Sequence, residues 1–574
     1  MINLYLKILN ILSTKFRKKI TLFFIFLSIS TILEFFSISI IFPGLSLILN
    51  ESSSISFLNN EYLNKLNLDN IKTIDLIIYF LLFYLLLSVL KSSFMLFFNW
   101  WRNDFAFDVE LDLAKKLYGN YLKLPLEKYN SINSGTLSKN IIIEIKKARL
   151  AIDVFLRIFI ESLTILIIIF VLLYFQPFST LIIIFLTFLV ASIIFLFYKK
   201  RMNNLGTIEV YSSGKMFQLL QDGFGSFKSI LLKGNQNFFV NSFSKPFSKR
   251  QYTHKWMQIN QENIRIIIEF FGVALLAIII FIILKLDNDL KNLVPTLALF
   301  GAALFRILPA TNRLLSYFTS IEASKSGINL INKDFKKNIE NEKKNKMNFS
   351  KLINFKDVSF SYPKSNNKIL DKLNFTIKKN DFIVLSGASG FGKTTFVDLL
   401  SGLLKPTAGK ISVDDKKIIY NENSWKKNIG YVPQSIFILD STLKENIVFD
   451  EKKIDEKKLL TAINLSNLKN FIFQKREGVN FRVGEKGSNL SGGQMQRLGI
   501  ARAIYQNPEI LICDEITNSL DQNNEKKIID SLIKLRKKMT IVCITHNLNA
   551  FKSKYIKKYR FVKSNKNITK LKKI

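Results

Sequence analysis

Six long apolar runs are the feature that most limits how this 574-residue chain can fold. A helix needs about 20 apolar residues to cross the hydrocarbon layer of a bilayer. We therefore expect an all-α transmembrane domain of six helices. The runs occupy residues 20–48, 74–98, 153–176, 178–198, 264–285 and 293–318.

The distribution of basic residues predicts how these spans are oriented. Lys15, Arg17, Lys18 and Lys19 precede the first run, which places the N-terminus in the cytoplasm. Two segments, 99–152 and 199–263, are rich in Lys and Arg and fall on the same side. The first run is too long for a signal peptide and contains Glu34, so we expect an uncleaved span. Six spans return the C-terminal part to the cytoplasm.

The two inner segments have helical periodicity, which predicts that the spans continue beyond the membrane. Each contains a break, at 130–135 and at 223–235, where short turning helices fit. An outer segment, 54–70, has the apolar spacing of a small interfacial helix. We assign a transmembrane domain to 1–332, a linker to 333–350 and a second domain to 351–574.

The formal charge of +38 raises the alternative of a nucleic-acid partner. The lysines, however, are spread through loops and gather between the predicted spans, as the positive-inside bias requires. We therefore expect a lipid bilayer, and no nucleic acid, as partner. Cys513 and Cys543 lie inside apolar strand-like runs, which favours small core residues over a disulfide or a metal site.

A glycine-rich loop in the second domain predicts nucleotide binding. It follows the apolar strand 382–386 and precedes a helical run, which is the setting in which backbone N–H groups cradle phosphates. Lys393 neutralises phosphate charge, and the Thr394 hydroxyl is a ligand for Mg²⁺. The expected cofactors are ATP and Mg²⁺. The loop and its first helical residue comprise Gly387, Ala388, Ser389, Gly390, Phe391, Gly392, Lys393, Thr394 and Thr395.

A second anion nest is predicted about a hundred residues later. Ser491, Gly492, Gly493 and Gln494 open a helix, and a serine followed by two glycines leaves backbone N–H groups free for an anion. With this Leu-Ser-Gly-Gly-Gln segment the chain resembles ABC transporters of the exporter type. The resemblance implies a six-helix transmembrane domain joined to an α/β P-loop NTPase domain. It also implies that the segment contacts ATP held by a second subunit, so we expect a homodimer.

The remaining nucleotide-site residues are carried over from the exporter family by motif. Asp514 and Glu515 end an apolar strand; the resemblance gives Asp514 to Mg²⁺ and makes Glu515 the residue that polarises the attacking water. His546, which follows another apolar strand, matches the switch histidine. The resemblance also assigns adenine stacking to Tyr362, Mg²⁺ sensing to Gln434 and a place in the loop across the dimer to Asp521. The expected reaction is ATP hydrolysis by positioning and electrostatics.

Three departures from the family pattern leave every catalytic group in place. Phe391 occupies a loop position that is usually small, Asn518-Ser519 replaces a Ser-Ala pair, and Asn547 follows the histidine where Arg is common. We expect Phe391 to alter nucleotide affinity and the site to remain hydrolytically active.

Charged residues inside the spans predict where a substrate binds, because such charges are costly in a membrane. Four cations, Lys91, Arg265, Arg306 and Arg313, are expected to gather between the mid-plane and the inner leaflet. A cavity lined by them suits an anionic head group. The alternative is internal pairing, since Arg265 and Glu269, and likewise Arg157 and Glu161, are spaced i,i+4. Lys91 and Arg313 also have the reach to snorkel.

Within the exporters, the chain most resembles bacterial lipid-linked oligosaccharide flippases of the PglK type. The segments 303–313 and 265–269 and the outer helix carry this resemblance, which implies that Arg265, Arg306 and Arg313 contact a lipid pyrophosphate. A further arginine position of that family is Lys91 here, which keeps the charge and loses bidentate geometry. The implied location is the bacterial inner membrane. The alternatives are a general exporter of lipids, peptides or hydrophobic compounds, and a non-pumping channel or regulatory subunit.

Overall fold

The computed structural model describes residues 13–39, 73–175, 177–286, 293–335, 346–363, 367–418, 420, 423–449, 454–516, 522–563 and 569–574. The chain divides into two compact units. The first contains residues 1–122 and 132–337, and the second contains 123–131 and 338–574. The first unit is helical, and the second is built on a β-sheet.

Long helices make up the first unit, in agreement with the predicted all-α domain. By length and apolar composition, four helical stretches among the described residues can cross a membrane: Thr14–Ser37, Ile78–Leu122, Ser134–Tyr174 and Thr180–Gly225. The runs predicted as spans five and six lie within helices α8 and α9. In chain order the helices up to residue 335 are α1 Thr14–Ser39, α2 Thr73–Leu122, α3 Leu126–Asn130, α4 Ser134–Lys139, α5 Ile145–Phe175, α6 Pro177–Gly225, α7 Phe227–Lys233, α8 Gln236–Leu286 and α9 Leu293–Phe335. Of these, α3 belongs to the second unit.

Short helices occupy both predicted breaks. The helix α4 is capped by Asn133, whose side chain accepts a 2.8 Å hydrogen bond from the N–H of Gly135. A π-helical turn, Asn140–Glu144, joins α4 to α5. The helix α7 ends at Gly234, whose φ of 67° is a left-handed cap that glycine adopts without strain. The predicted outer helix at 54–70 lies outside the described residues, as does part of the first span.

Apolar side chains and a glycine bring the long helices together. Ile168 and Leu172 of α5 pack with Phe300 and Leu304 of α9. In a second cluster, Ile264 of α8 packs with Leu315 of α9. Gly206 of α6 lies against the backbone of Ala323 in α9, where a larger residue would overlap the carbonyl oxygen. Small residues of this kind let two helices approach closely in a membrane protein.

The second unit contains a ten-stranded sheet within the described part of the chain. The strands are β1 Leu352–Phe360, β2 Leu370–Lys378, β3 Phe382–Ser386, β4 Ala408–Val413, β5 Lys416–Lys417, β6 Ile429–Val432, β7 Ile510–Asp514, β8 Thr540–Ile544, β9 Ile556–Lys563 and β10 Thr569–Lys573. Their order is β5-β4-β1-β2-β10-β9-β3-β8-β7-β6. The run β9-β3-β8-β7-β6 is parallel, whereas β4, β1 and β2 pair antiparallel.

Two hydrophobic clusters bury this sheet, one containing Val384 and Leu511 and the other containing Ile383 and Ile510. Successive residues of β3 and β7 therefore point to opposite clusters, which explains why these strands are apolar throughout. Besides α3, the α-helices described in this unit are α10 Lys393–Leu400, α11 Asn423–Lys426, α12 Leu443–Val448, α13 Glu456–Leu465, α14 Lys469–Phe473, α15 Gly492–Tyr505 and α16 Gln522–Leu535. The carboxyl ends of the parallel strands meet at one edge, where ligands bind in sheets of this type.

Candidate functional site

The glycine-rich loop lies between β3 and α10 as predicted. Gly390 and Gly392 have φ values of 80° and 81°, which are strained for residues with a side chain. A Cβ on Gly392 would also come within 2.8 Å of Ile369. The loop therefore needs glycine for both its backbone and its packing.

Lys393 folds over this loop. Its Nζ donates to the carbonyl oxygens of Gly387 at 2.6 Å and Ala388 at 3.3 Å. Burial lowers the pKa of Lys393, and the nearby Glu515 and Asp514 act in the opposite direction. A cation held at the mouth of a phosphate-binding loop, at the N-terminus of a helix, suits the phosphates of a nucleotide.

Glu515 lies where the ends of three parallel strands meet. One carboxylate oxygen accepts a 2.8 Å hydrogen bond from Nε2 of Gln434, and the other lies 2.8 Å from Nε2 of His546. Its backbone φ of 50° turns the chain out of β7. The structure thus brings together Gln434, Glu515 and His546, which follow β6, β7 and β8. A carboxylate oriented by two neighbouring side chains is the arrangement that the predicted role of Glu515 requires.

Asp514 occupies the last position of β7 and is buried. Tyr431 donates a hydrogen bond to its Oδ2 at 3.2 Å. Burial raises the pKa of Asp514, while the Tyr431 hydrogen bond lowers it. Tyr431 was not among the predicted site residues, although its place in β6 beside β7 makes it the neighbour that orients Asp514.

The predicted magnesium donors are Thr394, Gln434 and Asp514. Hydroxyl, amide and carboxylate oxygens are the hard ligands that Mg²⁺ prefers. The side-chain nitrogen of Gln434 donates a hydrogen bond to Glu515, so the side-chain oxygen of Gln434 can still bind a metal. These residues fit Mg²⁺, which supplies charge neutralisation on the phosphates when bound.

The Leu-Ser-Gly-Gly-Gln segment caps α15. The Ser491 side chain accepts from the N–H of Gln494 at 3.3 Å, and the Gln494 side chain accepts from the N–H of Ser491 at 2.8 Å. This capping box satisfies the N–H groups of Ser491 and Gln494, and Gly492 and Gly493 have no side chain that would cover the helix start. The N-terminus of α15 is therefore open to an anion.

Tyr362 lies beside the loop, and Phe391 belongs to it. The Tyr362 hydroxyl lies 3.3 Å from the Thr395 hydroxyl, and its ring packs edge-on against Phe360. Phe391 packs on the cluster that contains Ile383, with Nζ of Lys563 5.8 Å from its ring centroid. Asp521 lies outside the described residues.

In the first unit, two predicted substrate cations share one carboxylate. Glu34 accepts from Arg306 at 2.7 Å and lies 2.9 Å from Nζ of Lys91. Glu34 is buried, and it was recognised in the sequence only as a charge within a span. Lys91 and Arg306 therefore meet at α1.

The other two predicted cations are paired as well. Arg313 binds Glu161 through two hydrogen bonds of 2.6 and 2.9 Å, so it does not snorkel. Arg265 pairs with Glu269 at 2.7 Å, the alternative that its spacing suggested.

The pairing of Arg157 with Glu161, which the spacing offered as an alternative, does not form, and Arg157 binds Asp153 at 2.8 Å instead. An acid placed N-terminal to a base at i,i+4 is the more favourable order, and Asp153–Arg157 has it. Asp153 also binds Arg102 of α2 at 3.1 Å. Glu161 is thereby left for Arg313.

A cavity of about 420 Å³ lies between α8 and α9 and contains two of these cations, Arg265 and Arg313. Pro309 and Phe305 also line it. The Oδ1 atom of Asn312, another lining residue, is buried and has no hydrogen-bond partner among the described residues. The cavity thus combines two arginines, the carboxylate of Glu269, an unsatisfied amide oxygen and apolar surface.

Two protein families match the chain. Residues 370–518 match the family described as ABC transporter, and residues 53–308 match the ABC transporter transmembrane region. The heterocyst differentiation ATP-binding protein HepA of a Nostoc species is 27% identical over 81% of this chain and 77% of its own. An ATP-dependent lipid A-core flippase of Dechloromonas aromatica is 27% identical over 79% of this chain and 77% of its own.

A solved structure has the same fold. The structure of a bacterial Atm1-family ABC exporter with ATP bound matches with a TM-score of 0.80, covers 95% of this chain and 93% of its own, and is 18% identical. Both domain families and the fold agree with the motifs that the structure brings together. The chain belongs to the ABC exporters: it is a membrane protein whose helical transmembrane domain is joined to an ATPase domain that couples hydrolysis to transport.

Proposed function

We propose that this exporter flips a lipid with an anionic, pyrophosphate-linked oligosaccharide head group across the bacterial inner membrane. The observation that carries the proposal is the cavity between α8 and α9, which places Arg265 and Arg313 beside apolar surface. Arginine binds phosphate groups through parallel hydrogen bonds, and the apolar wall suits the lipid part. A relative named as a lipid A-core flippase supports an amphipathic lipid substrate.

A general exporter of hydrophobic compounds is the second candidate. Each predicted cation has a carboxylate partner, and an apolar cavity of about 600 Å³ lies between α5, α6 and α9, lined by Phe188, Phe195 and Phe318. We favour the anionic lipid because the Arg306 and Arg313 side chains are each 48% exposed despite their partners. A partly exposed ion pair is weak, so an incoming phosphate group can replace the carboxylate. The pairing of Glu515 with His546 argues against a non-pumping subunit.

The proposed mechanism needs two copies of the chain. ATP and Mg²⁺ bind at the loop 387–394, and Ser491 of the partner copy completes the site. With the helices exposing the basic cavity to the cytoplasm, ATP closes the two ATPase domains and hydrolysis at Glu515 resets them. The helix α7 has an exposed apolar face formed by Phe227, Leu231 and Leu232, which supports a further contact between protein surfaces at this helix.

Reconstitution tests the substrate directly. Proteoliposomes containing a pyrophosphate-linked lipid glycan are given ATP, and the inward-facing glycan is measured by its protection from a non-permeant reagent. We expect the double variant Arg306→Ala/Arg313→Ala to flip at least about tenfold more slowly, since hydrogen bonds to charged groups contribute about 1.5–3 kcal/mol.

The matched control is Arg157→Ala, which removes another arginine of a predicted span. Arg157 binds Asp153, a residue that Arg102 still neutralises in this variant. We expect it to flip at the wild-type rate. Equal flipping by the double variant and the wild type would contradict the proposed substrate.

A further inference from the structure

The carboxylate of Glu34 joins three helices inside the predicted spans. Its Oε1 accepts from Arg306 of α9 at 2.7 Å, and its Oε2 lies 2.9 Å from Nζ of Lys91 in α2. Lys91 also lies 3.5 Å from the hydroxyl of Ser37. Glu34 is only 3% exposed, so its oxygens are paired with these cations and not with solvent.

The two cations differ in their surroundings. The Lys91 side chain is 12% exposed, whereas that of Arg306 is 48% exposed. Separating Lys91 from Glu34 would leave a buried charge without a partner, which is strongly unfavourable. Moving Arg306 away from Glu34 costs much less free energy, because its side chain is already half exposed. Arg306 is therefore the exchangeable member of the group.

Charge balance indicates what Arg306 exchanges for. Two cations and one carboxylate leave the group with a net charge of +1, which favours an anion. If Lys91 alone balances the negative charge of Glu34, Arg306 can bind a phosphate group and no charge is left unpaired. Phosphate also offers Arg306 bidentate geometry, whereas Glu34 offers it one oxygen and gives the other to Lys91.

We propose that Glu34 is a positioning residue that holds Arg306 and competes for it with the phosphate groups of the transported lipid. Lys91 acts through Glu34 and does not touch the substrate. The inference rests on the proposed function, and it adds a specificity element to it. A lipid without a strong anion cannot displace Glu34, whereas a lipid pyrophosphate can.

The test measures how the lipid stimulates ATP hydrolysis in proteoliposomes. A polyprenyl pyrophosphate is titrated, and the concentration for half-maximal stimulation is compared between the wild type and Glu34→Gln. We expect this concentration to fall about tenfold, because removing an internal competitor raises the fraction of free Arg306. The double variant Glu34→Gln/Arg306→Ala should lose the whole gain, since the two residues act as one unit.

Two further variants protect the test from a folding defect. Glu34→Gln/Lys91→Met removes the buried pair together and should show the same fall. Asp108→Asn is the control. It breaks the 2.9 Å pair of Lys19 with Asp108, which joins α1 to α2 as the Glu34–Lys91 pair does, and it should leave the half-maximal concentration unchanged.

The outcomes separate this inference from the proposed function. A half-maximal concentration that stays constant or rises in both Glu34 variants overturns the role of Glu34 while the proposed substrate stands. A wild type whose hydrolysis does not respond to polyprenyl pyrophosphate overturns the proposed function, and this inference with it.

Discussion

Both carboxylate oxygens of Glu515 are held by side chains from neighbouring strands, Gln434 and His546. The backbone N–H of Glu515 donates to the carbonyl of Ile544 in β8 at 3.0 Å, which fixes the turn at the end of β7. A carboxylate fixed in this way needs little reorganisation when a water is placed beside it. This preorganisation is how positioned groups accelerate proton transfer.

Replacing Glu515 by Gln keeps the shape of this residue and removes its capacity to accept a proton. We expect ATP hydrolysis by the purified protein to fall by at least about 100-fold, in the range typical of general base removal. ATP should remain bound, two molecules per dimer. Glu456→Gln, which alters an exposed carboxylate paired with Lys444, is the control and should hydrolyse ATP normally. Continued turnover in Glu515→Gln would refute the assignment.

Phe391 illustrates how packing changes an expectation from sequence. A large side chain in the loop suggested altered nucleotide affinity, but the ring packs on the domain core and beside Lys563. We expect Phe391→Ser to lower the free energy of unfolding by about 1–3 kcal/mol, because apolar burial is lost. Its affinity for ATP, measured by calorimetry, should stay within about threefold of the wild type, a free-energy change below about 0.7 kcal/mol. A much larger loss of affinity at unchanged stability would place the ring in the binding site.

Asp398 gives a prediction of pH dependence. Burial, with a contribution from Asp514, raises the pKa of Asp398 to about 6. The unfolded chain ionises this carboxyl near pH 4, so the folded state binds more protons between about pH 4 and 6. Stability is therefore lost as pH rises through this window. Asp398→Asn should be more stable than the wild type at pH 7 and nearly equal to it at pH 4, in urea unfolding. Lower stability at pH 7 would contradict this.

At the scale of elements, close approaches set how the long helices pack. Gly206 of α6 faces the Ala323 carbonyl in α9, whereas a Cβ added to Gly119 of α2 would meet no atom of the described residues within 4 Å. Both glycines lie inside helices, where alanine is intrinsically preferred by about 0.5–1 kcal/mol. The difference between the two sites is therefore one of space.

This pair of glycines supplies a matched experiment. Gly206→Ala should be destabilised by about 1–3 kcal/mol, because overpacking forces α6 and α9 apart. Gly119→Ala should be as stable as the wild type or more so. Thermal unfolding of both variants in detergent measures the effect. Equal melting temperatures for the two variants would show that the α6–α9 contact is not tight.

The sequence predicted which residues gather around the glycine-rich loop and the end of β7, and it predicted little of the charge pairing in the helices. Motifs place Lys393 at the start of α10, and Asp514 and Glu515 at the end of β7, because the chemistry fixes residue types over short stretches. The partners of Arg306 and Arg313 depend on the rotation of α1 and α5 about their axes, which no local pattern encodes. The spacing of Arg157 and Glu161 suggested a pair that Asp153 prevents.

At the scale of the molecule, the exporter architecture follows from two patterns in one chain. Long apolar runs require helices in a membrane, and strand–loop–helix motifs require a parallel sheet. The order of the ten strands was not predictable, because β10 inserts between β2 and β9 from the far end of the chain. In the proposed dimer, each ATP site combines Lys393 of one copy with Ser491 of the other.

The proposed cycle depends on two copies of the chain enclosing ATP between them. Cys513 and Cys543 are buried, so cysteines introduced at Ser389 and Ser491 are the reactive ones. In the Glu515→Gln background, oxidation of Ser389→Cys/Ser491→Cys should yield a disulfide-linked dimer with ATP and monomer without it. A chain that stays monomeric under ATP in this measurement, and whose Glu515-containing form still hydrolyses ATP at full rate, would contradict the account.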